Sequence, residues 1–309
     1  MPAPLRSVIL AAAGSPRVRT VVTRAPLSRS VVRRFVAGEG IDDAVVAVRA
    51  LAADGLLASL DHLGEDAAEP AQAEAAVQAY LTLLDRLVAE DLAASAEVSV
   101  KLTAVGLDID RGLAVRNVER IVAAAEAAGT TATLDMEGSD RTTTTLDVLR
   151  ELRAEHPMTG AVVQAMLRRT EADCRALAGL GSRVRLCKGA YAEPVTVAYA
   201  GGGEVSASYR RCLEVLLRGA GYPMVATHDP ALVERALALA AEVGREPGTW
   251  ELQMLFGVRP DEQRRLVAAG HRVRVYVPYG GQWFGYLMRR LAERPANLAF
   301  FARALATRT

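Results

Sequence analysis

The sequence predicts an α/β fold, a (β/α)8 barrel preceded by extra N-terminal helices. Three observations predict it. Eight short apolar, β-branched runs recur at intervals, alanine- and leucine-rich stretches of helical period separate them, and the whole pattern fits within about 250 residues, the usual length of such a barrel. An open doubly wound sheet would call for a G-x-G-x-x-G after an early strand. The chain has none, and its one glycine cluster, Gly201 to Gly203, follows no strand.

Residues 1–50 are Arg-rich and read as a helical segment, in which RSVVRRFVAGEG closes on glycine. Residues 51–309 then carry the barrel. The eight candidate strands are LLASLDHLG, EVSVKLT, TATLDME, AVVQAML, RVRLCKGAY, MVATHD, WELQML and RVRVYVPYG. Between them, EPAQAEAAVQAYLTLLDRLVAEDLAA, GLAVRNVERIVAAAEAAG and DPALVERALALAAEVG read as helices, the last two ending on a glycine suited to a C-cap.

Composition narrows the class. The 309 residues hold 37 Lys plus Arg against 36 Asp plus Glu, a formal charge of +1, with the cations scattered among acids, so no nucleic-acid partner is expected. Half the residues, 51%, are hydrophobic, enough to fill a core. Cys174, Cys187 and Cys212 form no C-x-x-C pair, which argues against a disulfide framework and suits a reducing cytoplasm. The N-terminus imitates a signal peptide, but one Arg and a short apolar run are too little for one. No stretch reaches the ~18–20 apolar residues of a membrane span, which leaves peripheral contact open.

A barrel carries its active site at the carboxyl ends of its strands, and here all eight runs finish in or near polar groups. These are Asp61 and His62, Lys101, Asp135 and Glu137, Gln164, Arg185 and Lys188, Thr227 and His228, Glu251 and Gln253, and Tyr276. Each alone reads equally well as a side chain leaving for solvent or as a buried ion pair between strands. Eight together point to a lined pocket. In QWFGYLMRRLAERPAN, Tyr286, Arg289, Arg290 and Glu293 fall at i, i+3, i+4 and i+7 and share a helical face just beyond the eighth strand. A solvated Arg289 to Glu293 pair is the bland reading, whereas two guanidiniums at the mouth would suit a carboxylate or a phosphate.

No metal is expected, since the four histidines lie far apart and form no H-x-x-x-H or H-E-x-x-H. G-x-S-x-G and P-loop motifs are absent as well. Lys101 or Lys188 could form a Schiff base in an aldolase-type barrel, provided desolvation lowered its pKa.

From Leu56 to Asn297 the sequence resembles the proline dehydrogenase family, in its short monofunctional bacterial form. VSVKLT, LDMEGSDRTTT, VVQAMLRR, RLCKGAY, ATHD, ELQMLFG, RVYVPYG and YLMRRLAERPAN carry the resemblance, in the family's order and spacing. It implies a distorted (β/α)8 barrel that holds FAD over the strand ends and oxidises L-proline to 1-pyrroline-5-carboxylate, the first step of proline catabolism. Carried over by position, Lys101, Arg289 and Arg290 bind the substrate carboxylate, and Tyr276 and Tyr286 pack near its ring. Arg185 sits beside the reactive flavin nitrogen, and Asp135 is the acidic residue close by; these are the two catalytic candidates, with Asp135 open to taking the substrate's proton, to orienting Arg185, or to both. Gln164 and Met136 contact the flavin ring, Lys188, Gly189 and Ala190 follow the ribityl and pyrophosphate, and Thr227 and His228 lie near the adenosine. Glu293 is a further cofactor candidate.

The family commonly passes electrons to a membrane quinone, which implies peripheral contact with the inner face of the membrane, and a separate pyrroline-5-carboxylate dehydrogenase would take the product. Met166, Gly138 and Ala192 depart from the family pattern and are expected to loosen the cofactor pocket. The competing readings are the Schiff-base aldolase and a catalytically silent barrel that binds proline as a sensor.

Overall fold

In the computed structural model, which describes residues 32–178 and 182–293, all eight candidate runs form strands. They are β1 Leu57–His62, β2 Ala96–Val100, β3 Ala132–Leu134, β4 Gly160–Gln164, β5 Arg183–Cys187, β6 Tyr222–Ala226, β7 Glu251–Leu255 and β8 Val273–Tyr279. Each pairs in parallel with the next, and β8 pairs with β1 to close the barrel. The helices are α1 Ile41–Ala53, α2 Pro70–Ala89, α3 Arg111–Ala127, α4 Thr142–Glu155, α5 Thr170–Ala178, α6 Gly202–Arg218, α7 Pro230–Glu242, α8 Pro260–Ala268 and α9 Trp283–Glu293. No described helix is long and apolar enough to cross a membrane.

The reading of residues 1–31 as helical lies outside the described residues. The expected division near residue 50 falls inside α1, which packs on β1 and β8 as part of the outer layer. The glycine cluster opens α6, where Gly201 donates its N–H to the Glu204 carboxylate at 3.1 Å. Gly129 and Gly244 end α3 and α7 as expected: the N–H of Thr130 reaches the carbonyl of Ala125 at 2.9 Å, and that of Arg245 reaches Ala240 at 2.8 Å.

Strand alternation sends apolar side chains outward to the helices and polar ones inward. Ala58, Leu60, Val98, Val100, Val184, Leu186, Val275 and Val277 join Tyr80, Leu83, Leu84 and Leu87 of α2 and Val118, Ile121 and Val122 of α3 in the main core. Tyr80 ties α2 to the sheet, donating its hydroxyl to the Ser99 carbonyl at 2.7 Å. The lumen contains four cations, Lys101, Arg183, Arg185 and Arg274, and four carboxylates, Asp61, Glu97, Asp135 and Glu251. Burying eight charges is tolerable only when each is paired, and here each is.

The charges sit in tiers. Toward the amino ends, Glu97 accepts from Arg183 at 2.6 Å and from Ser59 at 3.0 Å, and Glu251 accepts from Arg274 at 2.7 Å. Glu251, read from sequence as a mouth residue, therefore belongs to the lower tier. It begins β7, and the mouth is two residues further on, at Gln253 and beyond.

Beyond β7 the chain makes a close approach. Gly257 has φ +69°, and a Cβ there would lie 1.7 Å from the backbone oxygen of Arg34. Gly257→Ala is expected to cost about 1–3 kcal/mol from the left-handed backbone alone, and more from the clash. A urea unfolding midpoint equal to that of the parent would refute this.

Candidate active site

The carboxyl ends of all eight strands open into one cavity of about 580 Å3. Its deepest group is Arg185, whose guanidinium extends from β5 across the lumen to four other strands or their ends. Its Nε donates to Gln253 at 2.6 Å, Nη1 to Ser99 at 2.9 Å and Asp135 at 2.8 Å, and Nη2 to Ser59 at 2.8 Å and Glu97 at 3.1 Å. All five donors are engaged, so the fork is fixed in one orientation.

Above it lies a cluster of Asp135, Lys101, Asp61 and Tyr276. Asp135 accepts from Arg185, from the Ser99 hydroxyl at 2.7 Å and from the Tyr276 hydroxyl at 2.7 Å. Burial alone would raise its pKa, but the Lys101 and Arg185 cations and these hydroxyls outweigh burial and hold the carboxyl below its ordinary value. Lys101 donates to both oxygens of Asp61, at 2.7 and 2.8 Å, and stands 3.6 Å from Asp135. Burial works against its charge too, yet Asp61 and Asp135 prevail and hold the ammonium's pKa above the ordinary lysine value. A Schiff-base nucleophile needs the opposite shift, which counts against that reading for Lys101. Tyr276 is pushed well above the ordinary phenol range, by burial first and then by Asp135 and Asp61, so it stays a donor.

One wall of the cavity suits a larger ligand. Met136, Val162, Met254 and Leu255 give it apolar surface, and Gln164 is held in place by donating to the Glu137 carbonyl at 2.8 Å. At the rim, Lys188 pairs with Asp229 at 2.9 Å, and Asp229 in turn caps α7 by accepting from the N–H of Ala231 at 3.1 Å. His228 Nε2 accepts the N–H of Leu255 at 2.8 Å. Gly189 has φ +94°, and a Cβ there would lie 2.5 Å from Met166 Sδ, so the backbone after β5 runs flat over Met166 along the cavity edge.

The cavity gathers Lys101, Asp135, Met136, Gln164, Arg185, Lys188, Gly189, Ala190, Thr227, His228, Tyr276 and Tyr286, all predicted from sequence. The side chains of Arg289, Arg290 and Glu293 lie outside the described residues, although α9, which carries them, starts just past β8. Met166, Gly138 and Ala192 do not line the cavity, and Met166 acts on its shape through Gly189. From sequence, Asp61 and Gln253 were legible only as polar strand ends and Ser99 not at all; the signal for all three is the inward phase of β1, β2 and β7, with Asp61 paired to Ser99 across β1 and β2.

A family model described as proline dehydrogenase matches residues 44–303. Proline dehydrogenase of Deinococcus radiodurans is 38% identical over 309 residues, covering 97% of each chain. Proline dehydrogenase 1 of Bacillus subtilis is 37% identical over 278 residues, covering 90% of this chain and 91% of its own.

The chain belongs to the proline dehydrogenase family. Among solved structures, proline utilization A (PutA) from Bdellovibrio bacteriovorus, inactivated by N-propargylglycine, superposes with a TM-score of 0.80 at 24% identity, covering 91% of this chain and 34% of its own. A Bradyrhizobium japonicum PutA variant gives 0.73 at 25% identity, covering 96% and 34%. The chain thus spans about a third of those larger proteins, and the match shows the shared barrel.

Proposed function

We propose that the chain oxidises L-proline to 1-pyrroline-5-carboxylate, the first step of proline catabolism, and that its cavity holds FAD. The observation that carries this is membership of the proline dehydrogenase family at 37–38% identity over nine-tenths or more of the chain. The cavity supports it. Its residues fit a flavin dinucleotide: the volume is in the range of small-molecule sites, the wall is apolar, Gly189 lets the backbone lie close, and Lys188 offers a cation suited to phosphate. Met136 and Gln164 would face the flavin ring, Lys188, Gly189 and Ala190 the ribityl and pyrophosphate, and Thr227 and His228 the adenosine end, with Glu293 a further contact. When bound, the flavin supplies the acceptor for the hydride that leaves the carbon next to nitrogen.

The protein's own groups prepare that transfer. A hydride leaves readily only when the neighbouring nitrogen has a free lone pair, so the pocket must favour the neutral amine. Lys101, with Arg289 and Arg290, holds the substrate carboxylate and places positive charge near the nitrogen, which lowers the amine's pKa. Tyr276 and Tyr286 pack at the ring. Arg185 offers a fixed positive charge on the cavity floor, where it needs no reorganisation as charge shifts. Asp135, held ionised, orients both Arg185 and Tyr276.

The wider assignments follow the family resemblance: electrons pass to a membrane quinone through peripheral contact with the inner face of the membrane, and a separate dehydrogenase consumes the product. The deciding experiment is the visible spectrum of the purified protein before and after anaerobic addition of L-proline. Flavin bands that bleach with proline are the expected result. Bands that proline leaves unchanged would overturn the substrate, and a colourless protein that FAD cannot reconstitute would overturn the cofactor.

A further inference from the structure

The proline dehydrogenase reading leaves one chemical step without an agent, the removal of the substrate's ammonium proton. Two buried carboxylates face the cavity there, and their surroundings differ. Asp135 is saturated, bonded by Arg185, Ser99 and Tyr276. Each of those donors would be lost or weakened if Asp135 took up a proton, so it is a poor acceptor. Asp61 receives bonds on both its oxygens from a donor that can itself move a proton, the Lys101 ammonium at 2.7 and 2.8 Å, with the Tyr276 hydroxyl a further donor to it.

We propose that Asp61 is the positioning partner of Lys101 and the resting place of the proton that the substrate nitrogen gives up. Lys101 links the two. One N–H bond of the Lys101 ammonium breaks as its proton passes to an Asp61 oxygen, which exposes a lone pair on Nζ. In concert the substrate N–H bond breaks, its proton forms a new bond to that lone pair, and its electron pair stays on the substrate nitrogen. Lys101 ends with the charge it began with, and one positive charge has moved from the substrate to Asp61, which becomes neutral. The electron pair freed on nitrogen is the one the hydride transfer requires.

The titratable groups that act on Asp61 are Lys101, Asp135, Tyr276, Tyr80, Tyr279 and His62. Burial, foremost, and the neighbouring Asp135 charge together outweigh Lys101 and keep the Asp61 carboxyl above its ordinary value. Asp135 is shifted the other way. The two carboxylates thus divide the work: Asp135 stays charged to hold donors in place, and Asp61 is the one able to accept a proton. Tyr80, whose hydroxyl lies 3.2 Å from the His62 amide nitrogen, packs behind Asp61 from α2 and helps to exclude water there.

This inference rests on the proline dehydrogenase reading, and the two fail in different ways. The test is the rate of anaerobic flavin bleaching by proline in the FAD-loaded enzyme, followed from pH 5 to 10, for the parent and for Asp61→Asn. If proline does not bleach the parent at any pH, the function itself is wrong. If it does, Asp61→Asn is expected to react at least 30-fold more slowly at pH 7 and to regain rate about tenfold per pH unit as proline arrives already deprotonated.

A parallel profile, equally slow at every pH and matched by an equal loss of affinity for the ring-oxygen analogue of proline, would make Asp61 a brace for Lys101 and overturn the proton assignment. Should Asp61→Asn fail to bind flavin, the parent decides alone. At saturating proline its bleaching rate must fall on the acid side, as the group that takes the proton becomes occupied, and a rate that stays flat down to pH 5 overturns the proposal.

Discussion

Arg185→Met is expected to damage both stability and chemistry, and to do so more than any other single change in the lumen. The substitution keeps an unbranched apolar stem but removes five hydrogen bonds that join β5 to groups on or just beyond β1, β2, β3 and β7. It also strips a cation from Glu97 and Asp135, both buried carboxylates. Breaking a buried pair by removing one partner costs about 3–5 kcal/mol, and at roughly 2–4 °C per kcal/mol that lowers Tm by about 6–20 °C. Glu97 keeps Arg183, with Arg274 near it, which limits its share of the loss.

The rate of flavin reduction is expected to fall about 100- to 1000-fold, the scale seen when one preorganised group that stabilises developing charge is removed. Thermal unfolding and anaerobic bleaching by proline, measured on the same sample, separate the two effects. Arg185→Lys sharpens the comparison, because it restores charge without the planar fork and so should recover part of the rate and little of the stability. A variant that melts early but reduces flavin at the parental rate would make Arg185 a strut of the barrel and nothing more.

How far this site could be read from the chain alone depends on the distance over which each signal acts. The strands were legible because a parallel strand buried on both faces announces itself locally, as in AVVQ or YPMVA, and every one overlaps its run, five lying wholly inside it while β2, β4 and β6 begin one or two residues earlier. Polar residues at the strand ends were legible for the same reason, and the resemblance turned them into a site. What the pattern could not give was partnership. Arg185 lies 126 residues from Ser59, 86 from Ser99 and 68 from Gln253, and these meet only because the barrel closes with β1 against β8.

Glu251 and Gln253 looked alike as polar residues of one strand, yet two residues along an inward face is one tier. The first therefore serves the lower ion pairs and the second the site. Asp61 was visible as a strand-end acid, but its importance appears only when register sets it beside Ser99 on β2, with Lys101 two residues beyond. Met166, whose departure from the family pattern is expected to loosen the cofactor pocket, lies under Gly189, so any effect it has on the pocket runs through the path of the backbone there.

Lys101→Met gives the second large effect, and its signature is a dependence on pH. Lys101 donates to both Asp61 oxygens, so without it a carboxylate remains in the lumen with its main partner gone. At pH 8 the loss of stability should be about 3–5 kcal/mol, the cost of an uncompensated buried charge. The Asp61 carboxyl already sits above its ordinary value in the folded parent, and losing the cation raises it further.

A carboxyl whose folded pKa exceeds its unfolded one binds more protons in the native state. Stability must then fall as pH rises from about 4 through the folded value. The variant should therefore be closer to the parent at pH 5 than at pH 8, with the deficit opening between them. In the parent, Lys101 has its pKa raised by folding, so its stabilisation is complete below the unfolded lysine value and does not vary across this window. Proline KM should rise about 10- to 100-fold, in line with one charge-assisted contact of roughly 1.5–3 kcal/mol, while the bound flavin spectrum stays as it was, because the wall that would hold the flavin is made by other residues. Urea unfolding at the two pH values and the KM for proline test both halves. If the deficit is the same at pH 5 and pH 8 and KM is unmoved, Lys101 neither holds the substrate nor governs the charge of Asp61.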